Sequence, residues 1–196
     1  MNSAQIVVRE LNPDTLSDFL NLFDKAFSDF PDWAGCYCGF YETEEKDWDS
    51  SEKASQEHRK WKSEQITNGR AGGLLAYING RAVGWCNAQP RARFANMRSY
   101  EVAVTDPNEP VGSIMCFLVS PDHRGKGVGT ALLREACRMF SRDGLTVAEA
   151  YPRTSSKQSG VPWAEENYKG SLSMYLNNGF TVHRQLERFS IVRRQL

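Results

Sequence analysis

Residues 113–140, Ser113–Phe140, read SIMCFLVSPDHRGKGVGTALLREACRMF, and this stretch decides how the rest of the chain is understood. Ile114–Val119 is an apolar run, short and dense enough to be a buried strand. Pro121 ends that run, because proline lacks the donor a central strand needs. Arg124-Gly125-Lys126-Gly127-Val128-Gly129 then leads into Ala131, Leu132, Leu133, Ala136, Cys137 and Phe140, which fall at helical spacing. Strand, glycine-rich turn and helix together place backbone N–H groups and the positive end of a helix dipole before an anion. Spacing removes two rival phosphate motifs. A P-loop needs an earlier glycine where Ser120 stands and a Ser or Thr after the lysine, where Gly127 stands. A dinucleotide fingerprint needs Gly-x-Gly-x-x-Gly near the start of its unit, whereas this is Gly-x-Gly-x-Gly at mid-chain. The turn reads as a pyrophosphate cradle.

Upstream, Gly72–Ile78 and Arg81–Ala88 are two strands joined by Asn79-Gly80, a strong hairpin signal. Gln5–Leu11 is a first strand, Thr15–Phe27 an amphipathic helix, and Phe27–Trp48 an irregular loop rich in aromatic residues. Ser51–Thr67 is a polar helix with Trp61 and Ile66 as its anchors. Between Pro90 and Pro110 the reading is mixed, with Ser99–Val104 a short strand. Downstream, Gly144 breaks the central helix and Leu145–Tyr151 is the next strand. Pro152–Asn167 is a long polar loop. Tyr168–Asn177 is a helix closed by Asn178-Gly179, and Phe180–Arg184 and Arg188–Arg193 are the last strands. This order predicts an α/β (α+β) fold, a mixed sheet with helices covering it.

The chain has 196 residues, 40% of them hydrophobic and 24% charged, which fits one globular domain over 1–196. Lys plus Arg equals Asp plus Glu at 24 each, so composition gives no support to nucleic-acid binding. The N-terminus lacks a basic stretch followed by an apolar core, and no apolar run approaches the roughly 20 residues that span a bilayer. A cytoplasmic protein without a membrane partner is expected. Five cysteines is an odd number, and Cys86, Cys116 and Cys137 lie in apolar patterns, as buried free thiols do. Cys36-Tyr37-Cys38 has no second Cys/His pair at a zinc-like spacing, and His58 stands alone, so packed thiols without a metal are expected. From Glu42 to Glu52 there are six acids and one lysine, a run that reads as a solvated face and would attract a cationic amine.

Arg124-x-x-Gly127-x-Gly129, after a strand ending Val119-Ser120-Pro121, resembles the acyl-CoA-binding motif of the GNAT superfamily of N-acetyltransferases. Tyr168-Lys-Gly-Ser-Leu-Ser-Met-Tyr175-Leu-Asn-Asn-Gly179-Phe180 is similar to that superfamily's late helix, where a tyrosine sits four residues before Gly-Phe. The resemblance covers about Gly72–Arg193 and implies a GNAT-like, mostly antiparallel sheet of six to seven strands. The N-terminal part, 1–70, precedes a core at 72–196 carrying the acyl-CoA site. It further implies acetyl-CoA as co-substrate and direct transfer of its acetyl group to an amine of a small molecule or peptide. The backbone of Gly125, Lys126, Gly127, Val128, Gly129 and Thr130 would hold the pyrophosphate, with Arg124 and Lys126 adding charge. Phe117, Leu118 and Val119 would offer main-chain groups to the pantetheine arm, and a backbone N–H near Val119 would meet the oxyanion.

Tyr175 is the implied general acid for the leaving thiolate. Glu149, between Ala148 and Ala150, is the first candidate base; Glu101, Glu165 and Glu166 are others, and water is a further one. The superfamily's asparagine seven residues before the tyrosine is Tyr168 here, and Ser171 takes a place often held by alanine. Two other readings stay open: a non-catalytic acyl-CoA-binding or regulatory module, and a transferase of a longer acyl group. A homodimer stays open as the assembly state.

Overall fold

The computed structural model describes residues 5–26, 35–49, 51–97, 106, 108–153 and 167–196. In chain order the elements are β1 (Ile6–Glu10), α1 (Leu16–Ala26), α2 (Ser55–Thr67), β2 (Leu74–Ile78), β3 (Arg81–Pro90), β4 (Val111–Val119), α3 (Val128–Arg142), β5 (Val147–Ala150), α4 (Leu172–Leu176), β6 (Thr181–Gln185) and β7 (Ser190–Gln195). The seven strands form one sheet in the order β1-β2-β3-β4-β5-β7-β6. Every neighbouring pair is antiparallel except β4 with β5. The mixed, mostly antiparallel sheet flanked by helices is as the sequence implied. The strand expected at Ser99–Val104, the start of the aromatic loop at 27–34 and the loop from 154 to 166 lie outside the described residues.

Local chemistry explains the strand and helix boundaries. Asn79 and Gly80 take φ of 49° and 75°, so the β2–β3 connection is the tight turn that matches strand twist. Asn12 caps the turn before α1: its side chain accepts from the Asp14 and Thr15 N–H groups, while Thr15 Oγ1 accepts from the Asn12 N–H. The late helix is shorter than Tyr168–Asn177. Gly170, at φ 80°, and Ser171, in extended backbone, precede it, and Ser171 caps Met174 N–H, so helical geometry begins at Leu172. The first turn expected of α2 is a separate 3-10 turn, Glu52–Ala54.

Strand alternation divides the core between two faces. Leu74 and Ala76 of β2 join the cluster under α3, with Leu132, Leu133, Ala136 and Phe140. Leu75 and Tyr77 point the other way, with Phe19, Leu22 and Phe23 of α1 and the fully buried Trp85. Helix α3 lies tight on the sheet because glycines face it. A Cβ on Gly112 would come within 2.4 Å of the Phe140 ring, and one on Gly84 within 2.6 Å of Val128. A third cluster, with Tyr41, Phe94, Met115, Tyr151 and Ile191, fills the sheet around the end of β5. No helix among the described residues is long and apolar enough to cross a membrane.

Candidate functional site

The parallel pairing of β4 with β5 is short. It runs from Val111↔Val147 to Ile114↔Ala150, after which β5 ends and β4 continues to Val119. Opposite, β3 pairs Asn87 with Cys116 and Ala88 with Ile114, leaving Met115 as an extra residue, a bulge of the kind that bends a strand. The sheet therefore parts alongside Phe117–Val119. Ser120 N–H donates to Val83 O on the β3 side, so by alternation Val119 N–H faces the opening. Phe117 N–H donates across it to Tyr168 O at 2.6 Å. Tyr168, which stands where the superfamily has asparagine, thus meets β4 through its backbone, and its hydroxyl lies 3.3 Å from that of Tyr41.

Past β4, the chain turns through Pro121–His123 and enters α3 by way of Gly125 and Gly127, at φ 70° and 84°. Both are conformations an L side chain resists, and a Cβ at either would meet nothing within 4 Å. Gly125, Lys126 and Gly127 are exposed. No side chain caps the helix, and its first intrahelical bond is Ala131 N–H to Gly127 O. The N–H groups of Val128, Gly129 and Thr130 therefore have no intrahelical acceptor. Open space before glycines, free donors and a fifteen-residue helix dipole fit a pyrophosphate. Arg124 is placed differently from a simple phosphate ligand, since its Nε donates to Val119 O at 3.0 Å and ties the turn to the strand.

The two expected catalytic residues are both fully buried. Tyr175 packs in the α3 cluster, edge-on to Phe180, and its hydroxyl donates to Lys169 O at 2.7 Å. Burial holds its phenol well above the usual range. Glu149 accepts from Arg193 Nε at 2.6 Å and from the Tyr151 hydroxyl, and Arg91 stands 3.6 Å away. Ser113 Oγ lies 3.2 Å from that same tyrosine oxygen. Glu109 completes the cluster, 3.1 Å from Arg193 and 3.7 Å from Arg91. Glu101, Glu165 and Glu166 lie outside the described residues.

Sequence reading missed two lysines. Lys62 lies on the polar helix for which only Trp61 and Ile66 are expected as anchors, yet it is fully buried, 2.6 Å from Glu42. Glu42 Oε1 also accepts from Asn87 at 3.0 Å and Gln89 at 2.9 Å, so this member of the acidic run is an internal anchor. Lys169 is 1% exposed, its Nζ 3.7 Å from the Tyr41 ring centroid and 5.4 Å from that of Tyr168. Burial brings its pKa down to about 7. The unfolded chain keeps that proton until roughly pH 10.4, so between the two values it binds one more proton than the native state and stability rises with pH. Lys169→Met is expected to stabilise the protein at pH 7. Its advantage over wild type in urea denaturation should shrink by about 1.4 kcal/mol per unit as pH rises towards 10.

His58 is held by Gly35 O, 3.0 Å from Nδ1, and stacks on Trp48. Among the described residues no three His, Cys, Asp or Glu side chains are arranged to hold a metal ion.

These features define a class: an α/β fold whose sheet opens beside an uncapped, glycine-flanked helix start. The chain belongs to the acetyltransferase (GNAT) family, whose profile matches residues 31–159. It is 26% identical over 177 residues to an uncharacterised N-acetyltransferase of Methanocaldococcus jannaschii, covering 88% of this chain and 59% of that protein. Among solved structures it is similar to the PaiA N-acetyltransferase of Thermoplasma acidophilum in complex with coenzyme A. The TM-score there is 0.54 at 18% identity, over 98% of this chain and 99% of that one. It is also similar to a GCN5-related N-acetyltransferase from Kribbella flavida, with TM-score 0.57 at 16% identity over 97% and 98% of the two chains. At these identities the likeness is one of fold.

Proposed function

We propose that the protein transfers an acetyl group from acetyl-CoA to a primary amine of a small molecule or peptide, by direct attack. The observation that carries the reading is the left-handed Gly125–Gly127 turn, with uncapped N–H groups, at the end of a strand parting from its neighbour. In this reading the turn and the first residues of α3 bind the pyrophosphate, and Phe117, Leu118 and Val119 bind the pantetheine arm. The Val119 N–H faces the carbonyl on which negative charge develops. A thioester supplies an acyl carbon open to attack and a thiolate that leaves.

Tyr175 is the proton donor for that thiolate. Its burial keeps the phenol protonated throughout the physiological range, as an acid requires. To act, the hydroxyl must exchange Lys169 O for the sulfur. Glu149 is fully buried and accepts from the Tyr151 hydroxyl, so in this reading the amine's proton would reach it along Tyr151 rather than directly. The reading includes a cytoplasmic location, where five free thiols stay reduced.

Incubation with acetyl-CoA and a panel of amines is expected to release free thiol. Tyr175→Phe should lower kcat by about 100-fold while leaving the dissociation constant for acetyl-CoA unchanged. No turnover with any amine, together with an unaltered background hydrolysis in Tyr175→Phe, would count against transfer. A second reading, acyl-CoA binding without catalysis, is favoured by the engagement of both Phe117 N–H and the Tyr175 hydroxyl by the 168–169 backbone. Its result is tight binding with no transfer. Mass spectrometry of ligand retained on purification distinguishes acetyl from longer acyl donors.

A further inference from the structure

The Cys36-Tyr37-Cys38 turn has no part in the proposed reaction, yet its backbone is unusual. Tyr37 and Cys38 are consecutive non-glycine residues in left-handed conformation, at φ 39° and 54°. Such backbone persists only where its surroundings enforce it. Here the Tyr37 hydroxyl donates to Asp24 at 2.7 Å, and Arg59 braces that carboxylate. Gly39 N–H closes the turn on Cys36 O at 2.8 Å. The Asn87 amide donates to both the carbonyl and the sulfur of Cys38, each at 3.3 Å.

Asn87 is the cross-strand partner of Cys116 on β4, and Cys38 and Cys116 pack in the same cluster, on the face where the Asn87 amide meets the Cys38 sulfur. The strained turn therefore holds a thiol of the N-terminal loop over the Asn87–Cys116 pair of the central strands. The neighbouring Cys116 thiol, and then the field of Lys62, bring the Cys38 thiol down to about 7 against the opposing effect of burial. Burial instead pushes Cys36 up to about 12. The thiolate is the reactive form of cysteine, and Cys116, partly exposed, gives a small solute a way to the pair.

We propose that Cys38 and Cys116 are a redox-active dithiol whose co-reactant is a hydroperoxide. The Cys38 thiolate attacks a peroxide oxygen, the O–O bond breaks, and hydroxide leaves a sulfenic acid behind. Cys116 sulfur then attacks the Cys38 sulfur, an S–S bond forms, and the S–O bond breaks with loss of water that carries away the Cys116 proton. Hydroxide from the first step takes the proton Cys38 released on ionising. Two thiols are oxidised and hydrogen peroxide is reduced to two waters. The bond ties the loop carrying Tyr41 to the strand that flanks the opening. It does not depend on acetyl transfer.

The test uses the full chain, fully reduced and then exposed to hydrogen peroxide, with disulfides mapped by non-reducing tryptic mass spectrometry. The expected product is a Cys38 peptide joined to a Cys116 peptide, two hydrogens lighter and restored by dithiothreitol. Cys36 shares a tryptic peptide with Cys38, so the Cys36→Ser variant should keep the cross-link and Cys116→Ser should abolish it. Melting of the oxidised wild type should be higher by several degrees and return on reduction. A Cys36–Cys38 link would overturn the proposal. So would full alkylation of Cys38 after oxidation, or its over-oxidation to sulfinic acid with Cys116 still free. The wild-type map decides the matter even where a variant fails to fold.

Discussion

Glu149→Ala is expected to lower folding stability by about 3 kcal/mol, the range for breaking a buried ion pair by removing one partner. Among the described residues, Arg193 and Arg91 would be left sharing Glu109, which is itself partly exposed. The Tyr151 hydroxyl would lose the carboxylate it donates to inside the core. Urea denaturation at pH 7 measures the loss. Glu149→Gln keeps the volume and separates the two roles of this residue. If Glu149 only braces the cluster, kcat should follow stability and recover at low temperature, where the variant is folded. If it takes the amine's proton through Tyr151, kcat should stay low in fully folded protein. An unchanged urea midpoint in Glu149→Ala would show that the cluster around Arg193 is not holding β5 against β7.

Gly127→Asp is expected to weaken coenzyme A binding by on the order of 2 kcal/mol, about 30-fold in Kd, relative to Gly127→Asn. The two side chains have nearly the same shape, and both tolerate left-handed backbone better than most. A Cβ at this position meets nothing within 4 Å, so both variants should fold. They differ by one negative charge beside the α3 N-terminus. Isothermal calorimetry at low and high salt is the measurement, and the gap should narrow with salt. Equal affinities for the two variants would place the phosphates elsewhere.

Fold class was legible because its signals were local. Asn79-Gly80 dictates a hairpin by backbone conformation, and the glycine turn before α3 announces a helix start whatever surrounds it. Around Gly125 to Thr130 the glycine turn and the helix start were legible because both are properties of the backbone. Side-chain partnerships were not. Glu149 looked like an isolated acid between two alanines, and only the pairing of β5 with β7 sets Glu149 beside Arg193. Lys62 sat in a helix of polar residues, and nothing along the chain shows that it turns towards Glu42, Phe19 and Trp85. Long-range pairing decides those cases, and a single sequence does not display it.

The four-residue parallel seam at Val111–Ile114 also bears on how the chain is made. By residue 142 the ribosome has issued all four antiparallel neighbours, β1 to β4, and the helix whose Phe140 seats against Gly112. These can assemble while the C-terminal strands are still being synthesised. Until β5 arrives, the β4 edge shows unpaired backbone in an apolar strand, a template for other nascent chains. The residues from β5 onward therefore act, during biogenesis, as a closing flap over an aggregation-prone edge. Premature termination after α3 should yield insoluble protein rather than a smaller folded one.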